Sequence, residues 1–155
     1  MGKVLALGRV VEAQETIEGM KARLQRLDRP NGIETDWVQI ASPMAGPNAG
    51  FSFMPEIDDI AVIAYVGKRP IVLGFVYGGG MAPFSDAANE RVITSRDGNS
   101  LMLIDGDKSG ITLVDKHENK IVMDENGITI STSKDLQLEA KGTTTIIGKT
   151  VELNP

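Results

Sequence analysis

The chain of 155 residues contains no cysteine, so neither disulfide bonds nor thiolate metal sites contribute to its structure. Aromatic residues make up only 5%, which leaves few large side chains for a compact core. The formal net charge is −5, and an acidic chain repels the phosphates of nucleic acids. The only early apolar run, Val4 to Leu7, is too short for a signal peptide or a membrane span. We therefore expect synthesis in the cytoplasm without a signal peptide.

The first half of the chain contains five apolar segments that predict β-strands. β-branched residues and Gly or Pro boundaries favour strands, although near-continuous apolar runs also occur in buried helices. Five short strands fit a small barrel of the OB type. We therefore expect an OB-fold domain at residues 1–80, followed by a linker at residues 81–91, because GGGMAPFSDAANE (Gly78 to Glu90) interrupts the strand pattern. The five segments are VLALGRVVEA, GMKARLQRL, WVQIASP, and the two runs joined by GKRP in DDIAVIAYVGKRPIVLGFVYGG.

Residues 92–155 follow a different pattern, in which short alternating segments repeat. SRDGNSLMLIDGDKSGITLV aligns with VDKHENKIVMDENGITISTS, so that Asn99 and Asn119 correspond at a spacing of 20 residues. The segments GITL and GITI also correspond, and KDLQLEAKGTTTIIGKTVELN is a fainter third copy. A repeat of strand and turn predicts a stacked, solenoid-like or fibrous array.

Period-two alternation places a set of apolar side chains on one predicted face of this array. About 64 residues give too few coils for a β-helix made by one chain, which also needs caps at its ends. Three identical chains about a common axis would cover these faces and pair their strand edges, which predicts an intertwined triple-stranded β-helix in a homotrimer. The predicted trimer core consists of Leu101, Leu103, Ile111, Leu113, Ile121, Met123, Ile128, Ile130, Leu136, Leu138, Val151 and Leu153.

Several segments together resemble a known family. Trp37 to Ile40, Pro55 to Asp59 and Arg69 to Gly74 are similar to landmarks of the OB-fold domain of phage baseplate assembly protein V and VgrG-like spikes. The segment GNSLMLIDGDKSGITLVDKHENKIVMDENGITIS resembles the triple-stranded β-helix of the same family. The resemblance implies an all-β fold, with an N-terminal OB-fold barrel followed by a C-terminal intertwined triple-stranded β-helix.

The same resemblance implies a function. The chain would be a structural, non-enzymatic central spike of a contractile tail or injection particle, assembled in its baseplate. It would sit on a hub protein at the end of the tail tube and touch the target cell envelope transiently while puncturing it. A PAAR-type tip protein would bind the C-terminal end at Leu153, Asn154 and Pro155. Some relatives carry a His-x-His apex that binds iron, but His117 is alone here and mid-shaft, so no metal or cofactor is expected.

Three features suggest sharper chemistry, and in each a simpler interpretation is favoured. The run from Asp105 to Gly110 resembles the start of a calcium loop, yet Lys116 stands where a bidentate glutamate is required. His117 lies in a hydrophilic turn with no nucleophile placed near it by any motif. The carboxylates of Glu56, Asp58 and Asp59 suggest glycosidase chemistry, but the preceding proline favours a solvated turn.

Two binding functions remain as alternatives to the spike. An OB barrel often binds single-stranded nucleic acid, and basic residues do occur together in the first half, interrupted by Asp28. With an acidic chain, this basic cluster is a better match for a protein partner such as the hub. A carbohydrate-binding or carbohydrate-degrading β-helix is the second alternative, but the absence of aromatic residues after Phe84 favours a scaffold. The basic cluster consists of Lys21, Arg23, Arg26 and Arg29.

Overall fold

The computed structural model describes residues 5–17, 19–78, 85 and 87–152. The chain divides into two units, residues 1–83 and residues 84–155. The first unit contains β1 (Leu5–Thr16), β2 (Gly19–Arg26), a 3-10 turn (Pro30–Gly32), β3 (Val38–Ile40), β4 (Ala45–Gly46), β5 (Ala49–Gly50), β6 (Ile60–Val66) and β7 (Arg69–Val76). The second unit contains β8 (Glu90–Thr94), β9 (Ser100–Ile104), β10 (Gly110–Val114), β11 (Lys120–Asp124) and β12 (Gly127–Ser131).

The first unit is a closed barrel with the strand order β1-β2-β3-β7-β6. The long strand β1 pairs with β2 through one part of its length and with β6 through another. The barrel closes through a short parallel pairing, in which Gln39 lies opposite Ile71 and Ile40 opposite Val72. The predicted five-stranded barrel is therefore confirmed. The small hairpin of β4 and β5 lies outside the barrel sheet and was not predicted.

The barrel interior is filled by the side chains of alternate strand residues, which point inward. Its core consists of small and medium apolar residues, so the strands approach one another closely. Gly8 is one point of close approach, because a Cβ atom there would lie 2.9 Å from Ile63 Cδ1 and 3.0 Å from Leu24 Cβ. This core is formed entirely by the barrel's own strands. Its buried members are Ala6, Val10, Ala22, Leu24, Val38, Ala61, Ile63 and Val72.

The second unit is a single antiparallel sheet with the strand order β12-β11-β10-β9-β8. Each strand pairs with its neighbour in sequence, which explains the repeat of strand and turn. Gly98, Gly106 and Gly127 have φ values of 88°, 96° and 122°, which the tight connections between strands require. These ladders lie within one chain. The interchain pairing that the sequence predicts is therefore left to the sheet edges at β8 and β12 and to the residues that follow β12.

Residues 132–152 contain neither helix nor strand, and all of them except Thr132 are exposed. Among the described residues, no backbone amide of residues 133–152 donates to a backbone carbonyl. Lys134 N donates instead to Thr132 Oγ1, at 3.0 Å. The third copy of the repeat thus carries the alternation of a strand but has no strand partner in the part of its own chain that the structure describes.

Candidate trimer interface

The pairing of β8 to β12 places the predicted core residues of the sheet on one face. Residues opposite each other in an antiparallel ladder project from the same side of the sheet. The pairs form two rows that each cross all five strands. We call this surface the apolar face. One row is Ile93, Leu101, Leu113, Ile121 and Ile130, and the other is Arg91, Leu103, Ile111, Met123 and Ile128.

The apolar face has no cover within the described part of the chain. Exposure reaches 70% at Ile128, 53% at Ile130 and 52% at Ile93. Ser100 is the only buried residue among the described residues of the second unit, so that unit has no buried apolar side chain there. A contiguous exposed surface of large aliphatic side chains marks an interaction site.

The opposite face of the sheet differs in chemistry. It mixes polar side chains with five half-buried apolar ones, whereas the apolar face carries Arg91 as its single charge and most of its aliphatic side chains are exposed. The apolar residues of the opposite face are Val92, Met102, Ile104, Val114 and Val122. Arg91 pairs with the Asp105 carboxylate at the margin of the sheet. The apolar face is therefore the side that gains most from being covered. The polar positions of the opposite face include Lys120, Asp124, Thr129 and Ser131.

The remaining predicted core residues are not part of the sheet. Leu136, Leu138 and Val151 lie in the segment without strands, with exposures of 57%, 74% and 51%. Leu153, with the predicted tip contacts Asn154 and Pro155, lies outside the described residues. Ile93 belongs to the apolar face but was missed, although the alternation in ERVIT is a signal that could have found it.

The repeated asparagines, Asn99 and Asn119, join successive turns on one side of the sheet, where the strands end. Asn99 N and Nδ2 both donate to Ser95 Oγ, and Asn99 Oδ1 accepts from Lys116 N at 3.2 Å. Asn119 repeats this arrangement: its N and Nδ2 donate to the Asp115 carboxylate, and its Oδ1 accepts from Thr132 Oγ1 at 2.6 Å. Each asparagine therefore closes its own turn and binds the next one.

Asp115 makes the turn between β10 and β11 sensitive to acid. The side-chain amide of Asn119 lowers the pKa of Asp115, and the backbone amides of Asn119 and His117 act in the same direction. The contribution of Asp115 to stability is complete above the unfolded pKa, which is about 3.9. It is lost as the pH falls through the folded pKa, which lies lower. We expect Asp115→Asn to lower the melting temperature near neutral pH, with a difference from wild type that shrinks only below about pH 4.

Thermal unfolding of both chains between about pH 7 and about pH 3 measures this effect. Asp107→Asn is the matched control, because Asp107 lies in the turn between β9 and β10, at the opposite ends of the strands. A difference between wild type and Asp115→Asn that stayed constant down to the lowest pH would contradict the role given to the carboxylate.

The residues that suggested metal or catalytic chemistry lie in turns. Asp105 pairs with Arg91, and the His117 amide donates to Asp115 Oδ1 at 2.8 Å. Asp58 has a φ of 76° and lies 3.6 Å from Arg9, measured from Oδ1 to Nη1. In residues 5–17, 19–78, 85 and 87–152, no three His, Asp or Glu side chains are grouped so that they could hold a metal ion.

Two arginines of the basic cluster are engaged by acidic side chains. Arg23 lies 3.2 Å from Glu12 and 2.7 Å from Glu34, measured between guanidinium nitrogens and carboxylate oxygens. Arg26 donates to both carboxylate oxygens of Asp28, at 2.8 Å each. This hydrogen bonding raises the pKa of Arg26. Both guanidinium groups are therefore charged and paired with carboxylates of the same unit.

Comparison with known families assigns both units. Residues 6–77 match the family of the Type VI secretion system/phage-baseplate injector OB domain. Residues 90–155 match the phage baseplate V C-terminal trimerisation domain. The chain belongs to the phage baseplate V family. The predicted resemblance and the all-β fold class are thereby confirmed.

The two baseplate V matches correspond closely to the structural units. The OB-domain match covers the barrel from Ala6 to Tyr77, and the trimerisation-domain match begins at Glu90, the first residue of β8. The trimerisation domain supports self-association as a homotrimer, and the baseplate domains support a structural role in a phage baseplate or tail-like particle. No curated protein matches the chain. Within the described residues there is no helix of the length and hydrophobicity that crossing a membrane requires.

Proposed function

We propose that the chain is the central spike of a contractile phage tail or tail-like injection particle and punctures the target envelope mechanically. One observation carries the proposal: the second unit presents a five-stranded apolar face and buries no apolar side chain among its described residues. Such a unit is incomplete as a single chain. It becomes a stable shaft when copies of the same face pack together.

Covering the apolar face supplies the free energy for this assembly. Three sheets, one from each chain, would form the sides of a prism with Leu, Ile and Met side chains inside. These side chains are already partly shielded by their neighbours, so the gain is about 1 kcal/mol for each, or on the order of 10 kcal/mol per chain. This is comparable with the whole stability of an ordinary domain. Trimer formation and folding of the second unit are therefore one process.

Residues 133–152 would complete the shaft by intertwining. Backbone amides and carbonyls that leave water need hydrogen-bond partners, and this segment finds none in the backbone of the described residues of its own chain. The free edges of β8 and β12 in neighbouring copies offer such partners. Leu136, Leu138 and Val151 would then continue the trimer core beyond the sheet. The intertwined part of the β-helix follows β12, after a portion in which each chain contributes its own sheet.

A rigid non-enzymatic needle is the mechanical consequence of this arrangement. Bending or opening the shaft breaks many contacts at once, while the work of penetration comes from contraction of the sheath. The barrel end would bind the hub protein at the end of the tail tube. Leu153, Asn154 and Pro155 would contact a PAAR-type tip protein. In this proposal residues 1–80 form the OB-fold domain, residues 81–91 the linker and residues 92–155 the spike. Strand β8 begins at Glu90, inside the proposed linker.

The aliphatic character of the exposed surface also separates the spike from the carbohydrate-binding alternative. Sugar rings stack on aromatic side chains, and the exposed side chains of β8 to β12 include none. The large exposed residues there are isoleucine and leucine, which pack well against each other.

Size-exclusion chromatography with light scattering tests the trimer directly. We expect a mass close to three times the 16.6 kDa of the chain, unchanged on tenfold dilution. A stable folded monomer would remove the basis of the proposal. Electron microscopy of intact particles, with an antibody against the chain, tests the position: label is expected at one end of the tube. Label distributed along the tube or sheath would contradict a spike.

A further inference from the structure

The barrel carries a second apolar surface, formed by the outward side chains of three adjacent strands. β7, β6 and β1 are neighbours in the barrel. Leu7 lies opposite Val62, and Ile60 lies opposite Val76, so these residues project from the same outer side. Leu73 joins them at the irregularity in the β6–β7 pairing. We call this surface the apolar wall, consisting of Leu5, Leu7, Ile60, Val62, Leu73 and Val76.

The apolar wall is exposed although the barrel already has a closed core. Leu5 is 55% exposed, Leu73 54% and Val76 42%, while their neighbours Ala6 and Val72 are buried inside. An antiparallel sheet with one face in water normally carries polar side chains on that face. Outside the wall, β2 does so, since Arg23 bridges Glu12 and Glu34. The wall therefore breaks the alternation that β2 obeys.

We propose that the apolar wall faces the three-fold axis and packs against the same wall of the other two copies. This inference depends on the homotrimer of the proposed function. It assigns to the first unit a self-association surface of its own, so that the trimer is held together at the barrels as well as along the shaft.

Symmetry favours a second copy over an unrelated protein as the partner. Around a three-fold axis, the surface that points inward meets only its own copies, so it must tolerate contact with itself. A charged surface would repel its copies there, whereas the wall consists of uncharged aliphatic side chains. Arg9, at the margin of the wall, is paired with Asp58. The wall also offers no charged group that would select a different partner.

The short connection between the barrel and the second unit favours this contact. Gly78 and Glu90 are twelve residues apart, so the connection spans at most about 40 Å. Once the second units have trimerised, each barrel is confined close to two others at an effective concentration on the order of millimolar. Even a weak apolar contact then forms in most trimers, because the barrels no longer have to associate as three separate molecules.

Cysteine cross-linking of the full-length trimer tests the proposal, because the chain contains no native cysteine. Leu5→Cys, Leu7→Cys, Leu73→Cys and Val76→Cys would be made one at a time. The control is Gln39→Cys, at an exposed position on β3, which does not belong to the wall. Each trimer would be treated with a short bifunctional maleimide and separated on a denaturing gel, and light scattering of the same sample would report the assembled mass.

We expect at least one wall variant to give linked dimers whose yield does not change on dilution. A single cysteine per chain can join only two chains of each trimer, so the yield approaches two-thirds. The Gln39→Cys control is expected to remain unlinked. If all four wall variants stay unlinked while the mass remains that of a trimer, the wall does not meet its copies and the inference is wrong. Monomers before cross-linking would instead contradict the proposed trimer itself, so the two failures are distinguishable.

Discussion

Replacing Ile121 with aspartate is expected to abolish the trimer and leave a poorly folded second unit. Ile121 lies in the central part of the apolar face, directly opposite Leu113 on one side and Ile130 on the other. In a packed trimer, three aspartates would be buried near the axis, one from each chain. Each buried carboxylate costs several kcal/mol, and the three repel one another. The total cost of the three buried carboxylates is therefore about as large as the roughly 5–15 kcal/mol that stabilises an ordinary domain.

The neighbouring residue provides a matched control for this substitution. Lys120 precedes Ile121 in β11, projects from the opposite face and is exposed. Lys120→Asp introduces the same side chain one position away and is expected to leave the trimer intact. Light scattering gives the mass of each variant, and circular dichroism gives its strand content. Equal tolerance at the two positions would show that the apolar face points outward.

The second large effect concerns hydrogen exchange in residues 133–152. Their backbone amides have no backbone acceptor among the residues that the structure describes, so an isolated chain should exchange them at the rate of an unstructured peptide. In the trimer, pairing with neighbouring copies should slow exchange by about a thousandfold or more, which corresponds to roughly 4 kcal/mol of opening free energy. Mass spectrometry of peptides from this segment measures the difference directly.

The Ile121→Asp chain serves as the monomeric reference for this experiment. In both proteins, peptides from the barrel strand β1 should be protected, since their hydrogen bonds lie within one chain. Fast exchange of residues 133–152 in a sample of proven trimeric mass would show that the segment does not intertwine. The spike would then end near Ser131.

Much of the barrel follows from local sequence patterns. Alternation in LALGRVVEA predicts a half-buried strand, and the structure places Ala6 and Val10 inside it. The segment WVQIASP was predicted as one strand, but β3 ends at Ile40, and Ala41 N then donates to Val72 O. Beyond Ala41 the chain leaves the barrel and forms the hairpin of β4 and β5. Two-residue strands of alanine and glycine have no alternation that could predict them.

The residues of the apolar face could also be predicted from the sequence, because apolar and polar residues alternate along each strand. The eight sheet residues of the predicted core do share one side, as the register of Ile111 with Leu103 and Met123 illustrates. Their packing against other copies stays a prediction. What alternation does not specify is whether a strand pairs within its chain or with another one. β10 and β11 pair within one chain, whereas the segment of Leu136 and Leu138 carries the same signal but pairs with no described strand of its own chain.

The uneven placement of aromatic residues has a practical optical consequence. Trp37, Tyr65 and Tyr77 all lie in residues 1–77, and the sequence holds no tryptophan or tyrosine beyond them. Tryptophan and tyrosine absorption and fluorescence therefore originate entirely from residues 1–77, the part of the chain that contains the barrel. Peptide-bond signals arise from both halves. One unlabelled sample, heated once and followed at two wavelengths, can thus resolve melting of the second unit from melting of the barrel.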